Sequence, residues 1–280
     1  MAARAFATLD QLTLGRIAVH IISGGNDAEQ RRDGDTLGKD ERYARTDEYL
    51  QVLDRAWRSE TPFDFAGTYY AFEDFVSEAR PHQQPRIPLY FGGASKPAIE
   101  VGARHADVFA LWGEPLAETA EQIASVRAAA EAAGRDEPPR ISLSVRPILG
   151  DTDEEAWERA HRILESTRAN HAASRALGRR FGTGVPQPQN VGSQRLLAAA
   201  ERGELHDRAL WTPIAKAVGA YGNTTALVGS PETVAQALLD YVDIGVTTLL
   251  IRGFDPLEDA VDYGRRLVPL VREGTLVSRH

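Results

Sequence analysis

Apolar positions along this chain follow two alternating rhythms. Five short runs are nearly continuous in apolar, β-branched or aromatic residues: 17–22 (IAVHII), 88–91 (PLYF), 107–111 (DVFAL), 141–149 (ISLSVRPIL) and 247–251 (TTLLI). Each is followed by a helical pattern. Near-continuous apolar strands separated by helices predict a parallel sheet covered on its faces. Residues 1–15 read as the last turns of an amphipathic helix that has no start of its own. In Ser230-Pro231-Glu232-Thr233 the serine suits an N-cap with proline at the first helical position. Val234, Leu238 and Tyr241 then recur at helical spacing, and Gly245 ends the helix. Asp255-Pro256 repeats that start ahead of Leu257, Val261 and Gly264. Two stretches break the alternation. Residues 63–76 (FDFAGTYYAFEDFV) predict a β-hairpin turning at Ala66-Gly67. Residues from about 166 to 222 carry Pro and Gly clusters (FGTGVPQPQN) between helical pieces, and an insertion of that length is expected to be a mobile lid or an interface.

Charge narrows the partners. The formal net charge is −8, with basic residues scattered and densest at Arg175, Arg179 and Arg180. A nucleic-acid or anionic-membrane partner would favour a basic face, so neither is expected. There is no cysteine, which removes disulfides, thiolate metal sites and cysteine nucleophiles. No apolar run approaches the roughly 20 residues needed to span a bilayer, and no signal-peptide pattern is seen, so the expected setting is cytoplasmic. The acidic start DTDEEAWERAH (151–161) suits a helix dipole and carries no metal-ligand spacing, so no metal is expected.

The most chemical segment is PLYFGGAS (88–95). A buried strand runs into Gly92-Gly93-Ala94-Ser95 and then into a helix from about Lys96. Such a turn presents free backbone N–H groups and a positive dipole end to an anion, with the Ser95 hydroxyl beside them. The same residues suit a tight βα turn closed by a serine N-cap. His20 and Ser23 lie on the first strand and at its carboxyl end, where a lone histidine is usually a core residue. Trp112 either fills the mouth of the sheet or lines a pocket. Arg146 and Arg252 would point toward the strand ends, and a buried arginine prefers a planar anion. A salt bridge is the alternative for each.

Five segments taken in order carry a resemblance: ATLDQLTLGRIAVHIISGGND (7–27), DERYARTDEYLQVLDRAW (40–57), PLYFGGAS, ALWGEP (110–115) and LVGSPETVAQALLDYVDIGVTTLLIRGFDPLEDA (227–260). Together they resemble the bacterial-luciferase-like flavin monooxygenases, most closely the alkanesulfonate monooxygenase branch. The resemblance implies an α/β fold of the (β/α)8 TIM-barrel type. It would be incomplete, with about five C-terminal βα units, the first three missing and the chain truncated at its N-terminus. The whole chain, 1–280, would then be one domain with the lid at about 166–222. It places the FMN phosphate at Gly93, Ala94 and Ser95 with Tyr43, and the flavin ring near His20, Ser23 and Gly24. Trp112 would line the substrate pocket, and Arg195 would match a loop arginine that closes over flavin and substrate. Two departures stand out. Where the sulfonatases have an arginine and then a histidine two residues on, this chain has Ser144 and Arg146, so the cation has moved and the histidine is missing. Where they have a tyrosine and then a histidine, it has Phe254 and Pro256.

The implied activity is that of a two-component monooxygenase. It would take reduced FMN from a separate NAD(P)H:flavin reductase and use O2 to oxidise a small organic substrate, an alkanesulfonate or a related sulfur compound. Arg146, Arg195 and Arg252 would act on an anionic substrate, and the full-length protein would be a homo-oligomer. The alternatives are a coenzyme F420-dependent oxidoreductase of the same fold, and a non-catalytic flavin-binding relative or inactive fragment.

Overall fold

The computed structural model describes residues 2–176, 188–222 and 225–277. The chain divides into two compact units, residues 1–109 with 125–139, and residues 110–124 with 140–280.

The first unit begins with α1 (Ala2–Leu12), β1 (Val19–Ile21), α2 (Asp27–Arg32) and α3 (Lys39–Arg58). The hairpin β2 (Phe63–Ala66) and β3 (Ala71–Phe75) follows, then β4 (Leu89–Gly92) and α4 (Lys96–His105); β5 (Val108–Trp112) and α5 (Leu116–Ala132) are each shared between the two units. β1 and β4 pair in parallel, with His20 opposite Tyr90 and Ile21 opposite Phe91. Side chains alternate across a strand, so Val19, Leu89 and Phe91 form a buried face against the helices. His20 and Ile22 face the other way and are exposed. The Phe91 ring lies between those of Tyr43 and Phe109, with centroids 6.4 and 6.3 Å away. α1 docks on the end of α3, where the buried Trp57 indole donates to Ala3 O at 3.0 Å. The hairpin forms where predicted, and its turn is held by a group the sequence did not single out. The Glu48 carboxylate accepts the N–H groups of Thr68, Tyr69 and Tyr70 at 2.7, 2.8 and 3.2 Å.

The second unit continues through β6 (Arg140–Leu149), α6 (Asp153–Ala176), α7 (Val191–Arg202), β7 (Leu205–His206), β8 (Leu210–Trp211) and α8 (Pro213–Ala217). It ends with β9 (Ala226–Gly229), α9 (Pro231–Asp243), β10 (Thr248–Ile251), α10 (Pro256–Asp262), a π-helical turn (Tyr263–Leu267) and α11 (Val268–Val277). β6 is its central strand, buried almost throughout. β10 pairs with its first half and β9 with its second, both in parallel. The five apolar runs predict five strands, and β9 is an additional one paired in parallel with β6. ALVG is four residues long and reads as a lead-in to α9, so only the pairing with β6 reveals it. The predicted caps are present: Ser230 Oγ accepts Thr233 N–H at 3.3 Å, and Asp255 accepts from Leu257 and Glu258. The core packs Ile148, Val228, Trp211 and Ile214 against Ala156, Ala160 and Leu164 of α6.

The acidic start of α6 does more than suit a dipole. Asp153 accepts Ser230 N–H at 2.6 Å and the Thr233 hydroxyl at 3.1 Å, tying α6 to the β9–α9 turn. Part of the expected lid, residues 177–187, lies outside the described residues. The described remainder includes α7 and α8, whose Leu196 and Ile214 are buried. Among the described residues no helix is long and apolar enough to cross a membrane.

Candidate functional site

In the first unit, β4 delivers the chain into the turn at 93–95 and α4 leaves it. Gly93 has φ +152°, and a Cβ there would lie 2.6 Å from Ala98 Cβ and 3.3 Å from the Tyr43 hydroxyl. The missing side chain is therefore what keeps the backbone open toward Tyr43. Ala94 is half-buried between Gly93 and Ser95. Ser95 occupies the N-cap position of α4 in an extended conformation but makes no side-chain cap hydrogen bond. Its hydroxyl oxygen is buried and has no hydrogen-bond partner among the described residues. The serine N-cap reading thus fails at the hydrogen bond that would define it. Tyr43 is buried on α3, and burial pushes its pKa up, with the neighbouring Ser95 hydroxyl and the Arg42 charge offsetting part of the rise. The approach of the two hydroxyls influences Tyr43 without supplying Ser95 with hydrogen-bond geometry.

The end of β1 is organised by the same helix. Ser23 Oγ lies 2.9 Å from Thr46 Oγ1, and the buried Arg42 reaches the carbonyls of Ser23 and Gly24. His20 stands beside Tyr90 with ring centroids 6.2 Å apart; its outer edge is exposed, yet burial of the rest lowers its pKa.

In the second unit the structure treats the predicted cations differently. Arg146 donates to Gly253 O at 2.9 Å and lies 5.1 Å from the centre of the Phe254 ring. Burial lowers its pKa, and the like charge of Arg252 adds to this. The Phe254 phenyl ring thus serves as a cation–π partner. Asp259 fixes that corner by accepting Phe254 and Asp255 N–H at 2.7 and 2.9 Å. The Arg252 side chain is exposed.

Arg195 is not on a loop. It sits on α7, where its Nε donates to both carboxylate oxygens of Glu114 at 3.0 and 2.9 Å and its Nη2 reaches Glu121 at 3.2 Å. Glu114 is almost fully buried, and burial pushes its pKa up while Arg195 pulls part of that back. A buried carboxylate needs such a counter-charge, and this is why the arginine is held on a packed helix. The same helix seats Trp112: a Cβ on Gly192 would come within 3.2 Å of the indole. Among the described residues no group of three or more His, Asp and Glu is placed to hold a metal ion.

The model of the luciferase-like monooxygenase family matches residues 1–248. The chain belongs to that family. Solved structures agree on the luciferase-like barrel-type fold. Riboflavin lyase RcaE, solved with modified FMN and riboflavin, is 22% identical with a TM-score of 0.77, and the match covers 97% of this chain and 66% of that one. DmoA from Hyphomicrobium sulfonivorans is 24% identical at 0.74, covering 97% and 64%. An F420-dependent secondary alcohol dehydrogenase, solved with an F420-acetone adduct, is 19% identical at 0.64, covering 96% and 74%. This luciferase-like chain therefore spans about two thirds of the length of such relatives.

Of the predicted residues in this luciferase-like chain, Tyr43, Gly93 and Ser95 come together in the first unit, and Arg146 and Arg252 neighbour one another in the second. Arg42, Thr46, Glu114 and Asp259 were missed. Each is a polar residue whose burial depends on a partner distant in sequence. The one available signal was a charged residue at a helical position flanked by core residues, as Arg42 is by Tyr43.

Proposed function

We propose that the protein binds a flavin through its phosphate, with the backbone at Gly93–Ser95, the Ser95 hydroxyl and the Tyr43 hydroxyl as the anion cradle, and works as a two-component monooxygenase. The observation that carries this is the buried, unpartnered Ser95 hydroxyl beside a glycine that must stay bare, at the start of a ten-residue helix. An unsatisfied buried hydroxyl is destabilising unless something completes it, and a phosphate oxygen has the right chemistry. The residues fit the group: two hydroxyl donors, an open backbone and a favourable helix end. Reduced FMN, supplied by a separate flavin reductase, would bring the reaction with O2. The chain's own share is to bind, orient and keep water out. His20, Ser23 and Gly24 are assigned to the ring side of the cofactor. Arg146 and Arg252 are assigned to an anionic substrate, with a sulfonate or related sulfur compound as the first candidate. Trp112 walls that substrate, and Arg195 serves by holding α7 against the Trp112 turn. A cytoplasmic homo-oligomer is the proposed form of the whole protein.

Fluorescence titration with FMN, reduced FMN and F420 tests the cofactor. FMN binding that weakens about tenfold in Ser95→Ala and Tyr43→Phe is expected from loss of a hydrogen bond to a charged group. Equal affinity in those variants overturns the cradle, and tighter binding of F420 selects the alternative cofactor. Product formation from sulfonates, sulfones and long-chain aldehydes, with a reductase and O2, tests the activity. Flavin binding without turnover of any of them would point to a non-catalytic relative.

A further inference from the structure

We propose that Arg42 is a positioning residue that closes the segment from Ser23 to Leu37 onto α3 and, through Thr46, presents Ser23 to the bound flavin as a hydrogen-bond acceptor. The proposal rests on the flavin reading above. Arg42 is 1% exposed and among the largest fully buried side chains of the protein. Burying a guanidinium is costly, and an apolar residue of similar volume would often pack there at no loss of stability. Its placement is therefore explained by what it grips.

Its Nε donates to Ser23 O at 3.2 Å, Nη1 to Leu37 O at 2.7 Å, and Nη2 to Asp27 Oδ1 at 2.8 Å, with Gly24 O at 3.5 Å. Both ends of the excursion after β1 are thus held by one planar fork. Inside it, α2 carries its own cap, with Asn26 accepting Ala28 N–H at 2.9 Å. No strand pairing ties this segment down among the described residues. The guanidinium takes the place of a sheet ladder.

One turn further along α3, the Thr46 hydroxyl donates to Arg42 O at 2.8 Å. A hydroxyl has a single proton, so the 2.9 Å contact between Ser23 and Thr46 must run from Ser23 to Thr46. The Ser23 carbonyl is taken by Arg42 and its hydroxyl proton by Thr46. What Ser23 retains is a pair of hydroxyl lone pairs, which select an N–H donor on a ligand. Tyr43 lies between the two residues in sequence, so the helix that completes the phosphate cradle also sets the loop at the end of β1.

The test compares Arg42→Met, Arg42→Lys and Thr46→Val with the parent chain by FMN affinity and by hydrogen exchange of residues 23–37. Arg42→Met should weaken FMN binding about tenfold or more, the loss of charge-assisted bonds to the loop. It should also speed exchange across 23–37, with added FMN restoring part of the protection. Lysine, a point donor that cannot span the separated carbonyls, should recover only part of the affinity. Thr46→Val frees the Ser23 proton and should change the ratio of reduced to oxidised FMN affinity while leaving exchange close to the parent's. A purely structural role would lower thermal stability without moving that ratio. If Arg42→Met does not fold, Arg42→Lys and Thr46→Val carry the comparison. Affinity within about twofold of the parent in folded variants, with Ser95→Ala still weakened, overturns this proposal and leaves the cradle standing. If the parent binds no flavin, the cradle falls, and unchanged exchange at 23–37 in Arg42→Lys would overturn the clamp independently.

Discussion

Replacing Arg195 with alanine should destabilise the protein substantially. Glu114, 3% exposed in the intact pair, would lose the counter-charge at the 2.9 Å position the guanidinium now fills. At an effective dielectric of about 20, two unit charges at that separation attract by roughly 5–6 kcal/mol. Most of this offsets the cost of taking both groups out of water. What the variant feels is the uncompensated carboxylate, about 3–5 kcal/mol for a buried pair broken on one side. Because the Arg195 side chain is 26% exposed, water can enter the space it leaves, so the expected loss is near the lower end, about 3 kcal/mol. Urea denaturation followed by tryptophan fluorescence measures it, and exchange of the α7 amides localises it. The pH dependence gives a sign check. Burial holds the folded pKa of Glu114 above its unfolded value, and removing Arg195 raises it further. A carboxyl raised in this way is least costly below its unfolded pKa and loses stability as pH rises through the interval up to the folded one. The deficit of Arg195→Ala should therefore be small near pH 4, about the unfolded value, and reach its plateau above the folded pKa. Arg195→Met with Glu114→Gln should recover much of the loss. A deficit under about 1 kcal/mol, the scale of an exposed ion pair, or one independent of pH, would refute the reasoning and return Arg195 to the role of a weakly held lid residue.

Three further outcomes follow from single contacts. Gly93→Ala should abolish FMN binding in a protein that still folds, because the added Cβ meets Ala98 at 2.6 Å and crowds the Tyr43 hydroxyl; titration calorimetry checks it. Glu48→Ala should release the β2–β3 turn at a cost of about 1–3 kcal/mol, with exchange at Thr68–Tyr70 as the readout. Burial raises the Glu48 pKa, but the three N–H bonds outweigh it and leave the carboxyl below its usual value. Its contribution should thus be present above the unfolded pKa and fade as pH falls through the folded one. Phe91→Ala, at a site 1% exposed, should cost about 3–5 kcal/mol by urea denaturation.

Local pattern was enough for most of the long elements. The runs at 88–91, 141–149 and 247–251 became β4, β6 and β10, and the caps at Ser230 and Asp255 formed as read. Period and capping chemistry act over a few residues, so a linear reading captures them. The glycine–serine turn was legible as an anion site or a capped turn, and only the tertiary structure shows that the Ser95 hydroxyl makes no cap hydrogen bond. Arg195 and Glu114 lie 81 residues apart, and neither residue type reports the other's approach. From sequence alone the arginine could be read as a mobile closing group, whereas tertiary packing brought it against a carboxylate too buried to stand unpaired. Strand β9 shows the same limit: four residues carry too little periodicity to announce a strand, and its pairing with Arg146–Leu149 exists only once β6 is beside it. What polar side chains do once buried depends on distant partners, and those are set by the fold.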